Sequence, residues 1–370
     1  NEIVVPTGQL SPEADVFLHD YLQQLIYAPG APPPRRVPGA VLLVDTSAGR
    51  FVEAGGVSSL ADGIPLSVDD RFEIGSITKL VTAAALLRLH EEGVLSLDDP
   101  VSKWLPEQAA IVPFGAEMTL RQLAAHTAGL GEYERDLYPM PRILSDSALL
   151  EQGYTPAELI MWVAENKQPL FQPGEAGQWM YSNTGYILLG MALEAATGQA
   201  LGEIYQTYIF EPLGMESAVL LDSTPNAGEI VHGYNAMTGD YVDVSRWNAS
   251  GAWAAGALAM NAADLARFGN ALISDELFAD EATLDEMTRF ISTGQQRGFT
   301  DKGLGLSPHE ARDWGQGRGT PAYATLHKLL PHEGETAVYL ANNGANNNNP
   351  HQVFELDTRT RTHSPKQVDL

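Results

Sequence analysis

The stretch Arg71-Phe72-Glu73-Ile74-Gly75-Ser76-Ile77-Thr78-Lys79 decides how the rest of the chain is read. Ser76 and Lys79 stand three residues apart, one helical turn, so both fall on one face if a helix begins here. The residues that follow support that helix: Leu80, Ala83, Ala84, Leu87 and Leu89 form an apolar face, and Gly93 ends it. A serine hydroxyl is a poor nucleophile until a neighbour takes its proton, and a desolvated lysine can be that neighbour. A helix start adds backbone donors and partial positive charge. Ser-x-x-Lys is nonetheless a weak pattern, with about one chance match expected in a chain of this size. An N-cap serine followed by a surface lysine explains the same letters.

Working outward, Ser11 and Pro12 mark the start of a helix to about residue 26, with Leu18, Tyr21, Leu22 and Leu25 at helical spacing. A proline-rich connector follows. Ala40 to Asp45 and Phe51 to Val57 read as two strands joined by a turn. Capping boxes begin helices at Thr119-Leu120-Arg121-Gln122 and at Thr155-Pro156-Ala157-Glu158, and Asn261 caps another to about Ile273. Short β-branched runs, Gly303 to Ser307, Thr320 to His327 and Thr336 to Asn342, return the end of the chain to strands. The expected architecture is α/β (α+β). An antiparallel sheet built from residues 1–79 and 225–370 is flanked by helices, an all-helical region over 80–224 is inserted, and the active site lies between them. Asn346 to Asn349 reads as a surface turn, and the tail after Pro350 carries weak structure signals.

With 370 residues, 44% of them hydrophobic, the chain can bury a large core in one or two domains. It carries 47 acidic and 22 basic residues, a formal charge of -25, which disfavours nucleic acid and anionic membranes as partners. Cysteine is absent, so disulfides, a thiol nucleophile and thiolate metal sites are excluded. No apolar run reaches the ~18–20 residues of a membrane span. The chain opens at Asn1 rather than Met, which fits a removed leader and a secreted or periplasmic protein, with a cytoplasmic one as the alternative. Composition leaves oligomeric state open.

Two further elements bear on Ser76. Tyr181-Ser182-Asn183 lies between a turn at Pro173-Gly174 and an apolar helix, Ile187 to Ala196. Tyr181 offers a phenol for proton transfer, and Asn183 an amide to orient Lys79 or hold a carbonyl. A buried tyrosine with an asparagine helix cap is the structural alternative. Trp314-Gly315-Gln316-Gly317-Arg318-Gly319-Thr320 puts glycine-rich backbone ahead of an expected strand, either for close approach by a ligand or as a plain hairpin loop.

Taken in order, these segments resemble the serine β-lactamase and DD-peptidase superfamily: class C β-lactamases, D-alanyl-D-alanine carboxypeptidases, D-aminopeptidases and family VIII esterases. The resemblance also includes Leu123-Ala124-Ala125-His126-Thr127-Ala128-Gly129-Leu130, Phe171-Gln172-Pro173-Gly174, Pro212-Leu213-Gly214-Met215 and Ala255-Gly256. It implies a serine hydrolase that forms an acyl-enzyme on Ser76 from a peptide, amide or ester, carboxypeptidase-like or β-lactamase-like. Family VIII-type esterase activity, or a catalytically silent binding homologue, are the alternatives. By the same resemblance Lys79 and Tyr181 handle the proton and Asn183 positions Lys79 and substrate. The N–H groups of Ser76 and Gly319 form the oxyanion hole, His126 is structural, and neither metal nor organic cofactor is required. The third motif departs from the pattern. Gln316 stands where the superfamily has Lys or His, and Arg318 where it has Gly. Arg318 as a replacement cation implies a substrate with a carboxylate near the scissile bond.

Overall fold

The computed structural model describes residues 8–26, 36–223, 229–274, 276–293, 301–309, 313–317 and 319–344. Arg318, the Asn346 to Asn349 run and the tail after Pro350 lie outside the described residues.

The centre is a seven-stranded antiparallel sheet. Its order is Ser307–His309, Asp313–Gly317, Ala324–Leu330, Glu335–Ala341, β1 (Gly39–Thr46), β2 (Gly49–Ser59) and β3 (Ile64–Pro65). Both ends of the chain therefore meet in one sheet, with Ala40 opposite Ala341. β1 reads Gly-Ala-Val-Leu-Leu-Val-Asp-Thr because it is covered on both faces. Ala40 and Leu42 pack with Leu18 and Leu22 of α1 (Pro12–Leu25), while Val41 and Leu43 point into the main core. Ser11 caps α1 by accepting from the Ala14 N–H at 3.2 Å.

On the main-core side lie the helices. Both capping boxes form: Thr119 with Gln122, and Thr155 with Glu158. Asn261 accepts from the Asp264 N–H at 2.9 Å and starts the helix Ala262–Ile273, which packs on the strands Ala324–Leu330 and Glu335–Ala341. A smaller three-stranded sheet joins β4 (Phe72–Glu73), Leu258–Met260 and Val219–Leu220.

Three expectations about the C-terminal strands change. Residues 303–306 form a turn closed by the Gly303 N–H on the Leu306 carbonyl at 2.9 Å, so only Ser307–His309 is strand. Residues 320–323 form another turn, closed by the Thr320 N–H on the Tyr323 carbonyl at 2.9 Å, so the strand begins at Ala324. The glycine-rich third motif does not precede a strand as a loop. Asp313–Gly317 is itself a strand, with Gln316 opposite His327. Glycine's low strand preference is overridden here by pairing on both sides.

Candidate active site

β4 delivers the chain to the site. Glu73 pairs with Ala259, the Ile74 N–H donates to the Leu258 carbonyl at 2.9 Å, and a single 3₁₀ turn, Gly75–Ile77, leads into α2 (Thr78–Glu91). Ser76 thus sits in the turn that precedes the helix. α2 differs from the one-sided helix read from the sequence. Every residue from Thr78 to Leu87 is buried, because the sheet, the helices and the Gly303–Leu306 turn surround it.

Lys79 is fully buried. Its Nζ donates to Asn183 Oδ1 at 2.7 Å and to the Ala255 carbonyl at 2.6 Å, and lies 3.5 Å from Ser76 Oγ. Burial of an amine demands such acceptors. The surface-lysine alternative is thereby removed. The Ala255 carbonyl is a Lys79 partner that side-chain motifs cannot reveal.

Tyr181 Oη donates to Ser76 Oγ at 2.8 Å. Lys79 Nζ lies 4.8 Å from the Tyr181 ring centroid, and His126 stacks on that ring at 4.6 Å. His126 is one of the few non-glycine residues with positive φ among the described residues, at 61°. It is pinned by the Ser182 N–H on its Nδ1 and the Met180 N–H on its carbonyl, both at 3.1 Å. Burial, then the charges of Lys79 and Lys302, push its pKa well below the usual range. The ring stays neutral, as an Nδ1 acceptor must.

The helix Asn183–Thr197 is capped by Ser182, whose Oγ accepts from the Gly185 N–H at 3.1 Å. The cap is therefore not Asn183, whose side chain is free to face Lys79. Asn183 Nδ2 donates to Glu134 at 2.9 Å, and the Asn183 N–H donates to Glu132 at 2.5 Å. Desolvation, with the like charge of Glu134, pushes the Glu132 carboxyl up to about 7. Sequence reasoning missed both glutamates. Their only signal was acidity in Gly131-Glu132-Tyr133-Glu134, directly after the His126 loop.

A cleft of about 310 Å³ opens over Ser76. Asn183, Glu134, Tyr138, Trp247, Gly319 and Thr320 line it. Gly251 is required by close approach, since a Cβ there would fall 1.5 Å from Tyr138 Oη. A Cβ on Gly319 would fall 2.3 Å from the Tyr323 carbonyl oxygen. Ser76, Lys79, Tyr181, Asn183 and Gly319 are thus brought together, and Gln316 lies on the adjoining strand. Among the described residues no cluster of His, Asp and Glu could hold a metal ion.

The model of the family described as Beta-lactamase matches residues 22–359. The chain belongs to the Beta-lactamase family. It is a hydrolase of the serine β-lactamase and penicillin-binding protein superfamily. Penicillin-binding protein 4* of Bacillus subtilis is 28% identical over 82% of this chain and 68% of its own length. Esterase EstB of Burkholderia gladioli is 32% identical over 52% of this chain, which spans about half (49%) of that esterase. Among solved structures, a D-stereospecific amidohydrolase from Streptomyces sp. superposes with a TM-score of 0.75 at 31% identity, covering 88% of this chain and 95% of that one. Family members thus include a penicillin-binding protein, an esterase and an amidohydrolase around one fold.

Proposed function

We propose that Ser76 attacks the carbonyl of an amide or short peptide and forms an acyl-enzyme that water then hydrolyses. The observation that carries this is the contact of Ser76 Oγ with Tyr181 Oη at 2.8 Å, beside a Lys79 fixed by Asn183 and Ala255. Lys79 and Tyr181 exchange the serine proton and return one to the leaving nitrogen. The N–H groups of Ser76 and Gly319 receive the oxyanion. A silent binding protein has no use for this proton-transfer set.

The substrate reading follows from Glu134. Its carboxylate lines the cleft with Ser76 and is oriented by Asn183 Nδ2. A carboxylate at that position favours a substrate with a free ammonium near the scissile bond. The likeness to a D-stereospecific amidohydrolase supports a D-configured acyl residue. The chain would then be an amidase or carboxypeptidase-like enzyme, and an esterase only on activated esters.

A fluorophosphonate probe and a panel of D- and L-amino-acid amides, p-nitrophenyl esters and nitrocefin test both levels. Ser76-dependent labelling is expected, with D-amino-acid amides the best substrates and Glu134→Gln raising their KM. Absence of labelling refutes the acyl-enzyme. Equal rates on N-acetylated amides refute the ammonium reading.

A further inference from the structure

We propose that Trp253 is a positioning residue for Lys79: its ring, seated on Gly190, holds the turn that aims the Ala254 and Ala255 carbonyls at α2. The proposal deepens the acyl-enzyme reading of Ser76 and rests on it for its kinetic consequence, though not for its structural one.

Trp253 opens a single helical turn, Trp253–Gly256. Its φ is 33°, in the left-handed region that a bulky side chain rarely enters. Such a conformation persists only where the surroundings enforce it, and it gathers at functional sites. The turn it starts faces α2. The last carbonyls of a helical turn have no partner within it and point the same way. The Ala255 carbonyl accepts from Lys79 Nζ at 2.6 Å, and the Ala254 carbonyl from Thr82 Oγ1 at 2.7 Å. Lys79 and Thr82 are one turn apart on α2, so two successive carbonyls meet two positions on one helix face. The Leu258 N–H donates to Thr78 Oγ1 at 3.1 Å and completes the docking. The turn also backs onto the Ser76 segment, since a Cβ on Gly256 would lie 3.8 Å from the Gly75 carbonyl carbon.

The conformation is enforced from the helix Asn183–Thr197. A Cβ on its Gly190 would fall 2.7 Å from Trp253 Cζ3 and 2.6 Å from Ala254 Cβ, so the ring and the turn occupy the space that glycine leaves. Gly190 comes two helical turns after Asn183, on the same face. One helix thus serves Lys79 twice: directly through Asn183 Oδ1, and through Gly190, Trp253 and the Ala255 carbonyl. Upstream, Tyr133 Oη donates to the Gly251 carbonyl at 2.6 Å and anchors the chain before the turn. Gly251, Ala252, Ala255 and Gly256 line the cleft, whereas the buried Trp253 ring lies against Gly190. Trp253 therefore acts on the chemistry through Lys79 rather than by touching substrate.

The test uses the full chain with Trp253→Phe, Trp253→Ala and Trp253→Gly. It reads fluorophosphonate labelling of Ser76 and steady-state kinetics on a D-amino-acid amide. Trp253→Phe keeps a ring on Gly190 and should retain the rate within about threefold. Trp253→Ala loses the ring but keeps the steric objection to positive φ, so the turn relaxes. Labelling and kcat are then expected to fall about tenfold or more with KM nearly unchanged. Glycine accepts positive φ freely, so Trp253→Gly keeps the turn, labels faster than Trp253→Ala and melts no lower. A residue that only fills space gives the opposite order, because glycine leaves the larger cavity. Labelling of Trp253→Gly at or below that of Trp253→Ala, or unchanged labelling of Trp253→Ala, overturns the proposal. If neither truncated variant folds, Gly190→Ala, whose methyl meets the ring, decides: slowed labelling supports the proposal and wild-type labelling overturns it. If wild type is not labelled at Ser76, the functional reading fails, and the melting order of the glycine and alanine variants still judges the turn.

Discussion

Asn183 Oδ1 accepts from Lys79 Nζ at 2.7 Å, and this contact joins two segments 104 residues apart. The same amide donates to Glu134 through Nδ2, which fixes its orientation. Asn183→Ala leaves the buried Lys79 short of an acceptor. Acylation by a fluorophosphonate should slow by about 100-fold, and stability should drop by ~1–3 kcal/mol. Stopped-flow labelling and a denaturant titration measure the two effects separately.

His327 predicts an acid limit to stability. It is fully buried, neither ring nitrogen has a hydrogen-bond partner among the described residues, and burial lowers its pKa to about 3. The unfolded chain binds a proton as pH falls through about 6.5, whereas the folded chain resists until about 3. Stability is therefore lost as pH falls below 6.5, by ~2 kcal/mol at pH 5 from this residue alone. His327→Leu should flatten that part of the pH–stability curve. An unchanged slope between pH 6.5 and 5 contradicts the argument.

Gly251 lines the cleft beside two tyrosines: Tyr133 Oη donates to its carbonyl at 2.6 Å, and a Cβ on it would fall 1.5 Å from Tyr138 Oη. Gly251→Ala pushes Tyr138 toward the substrate. The expected result is a loss of ~1–3 kcal/mol with a raised KM. Thermal melting and steady-state kinetics check it, and an unaltered KM would show that Tyr138 moves away from the cleft instead.

Gln316 and Arg318 separate an adapted enzyme from a silent one. Gln316→His with Arg318→Gly restores the residues expected of the superfamily at both positions. An active wild type should keep turnover within about tenfold, and removal of the Arg318 cation should weaken any preference for substrates bearing a carboxylate. If turnover appears only in the double variant, the native chain is a binding protein.

Most of this was legible wherever local chemistry repeats a rule. The caps at Ser11, Thr119, Thr155 and Asn261, and the strand pair of β1 and β2, follow from composition and spacing. Ser76, Lys79, Tyr181 and Asn183 were legible as types, and their convergence required the fold. What stayed hidden is of two kinds. The Ala255 carbonyl and the Glu132–Glu134 pair act through position rather than motif. The strand Asp313–Gly317 was obscured because glycine lowers strand preference, while its pairing partners lie elsewhere in the chain.

The meeting of both chain ends in one sheet also sets when the protein can work. The Gly39 N–H donates to Asn342 Oδ1 at 2.7 Å across 303 positions, and β1 has no second neighbour until Glu335–Ala341 exists. Such distant pairing makes folding slow. During synthesis β1 emerges well before Glu335–Ala341 and must wait, with one edge open, for that strand. The nucleophile segment waits with it, so a reactive serine arises only after that distant strand has been made.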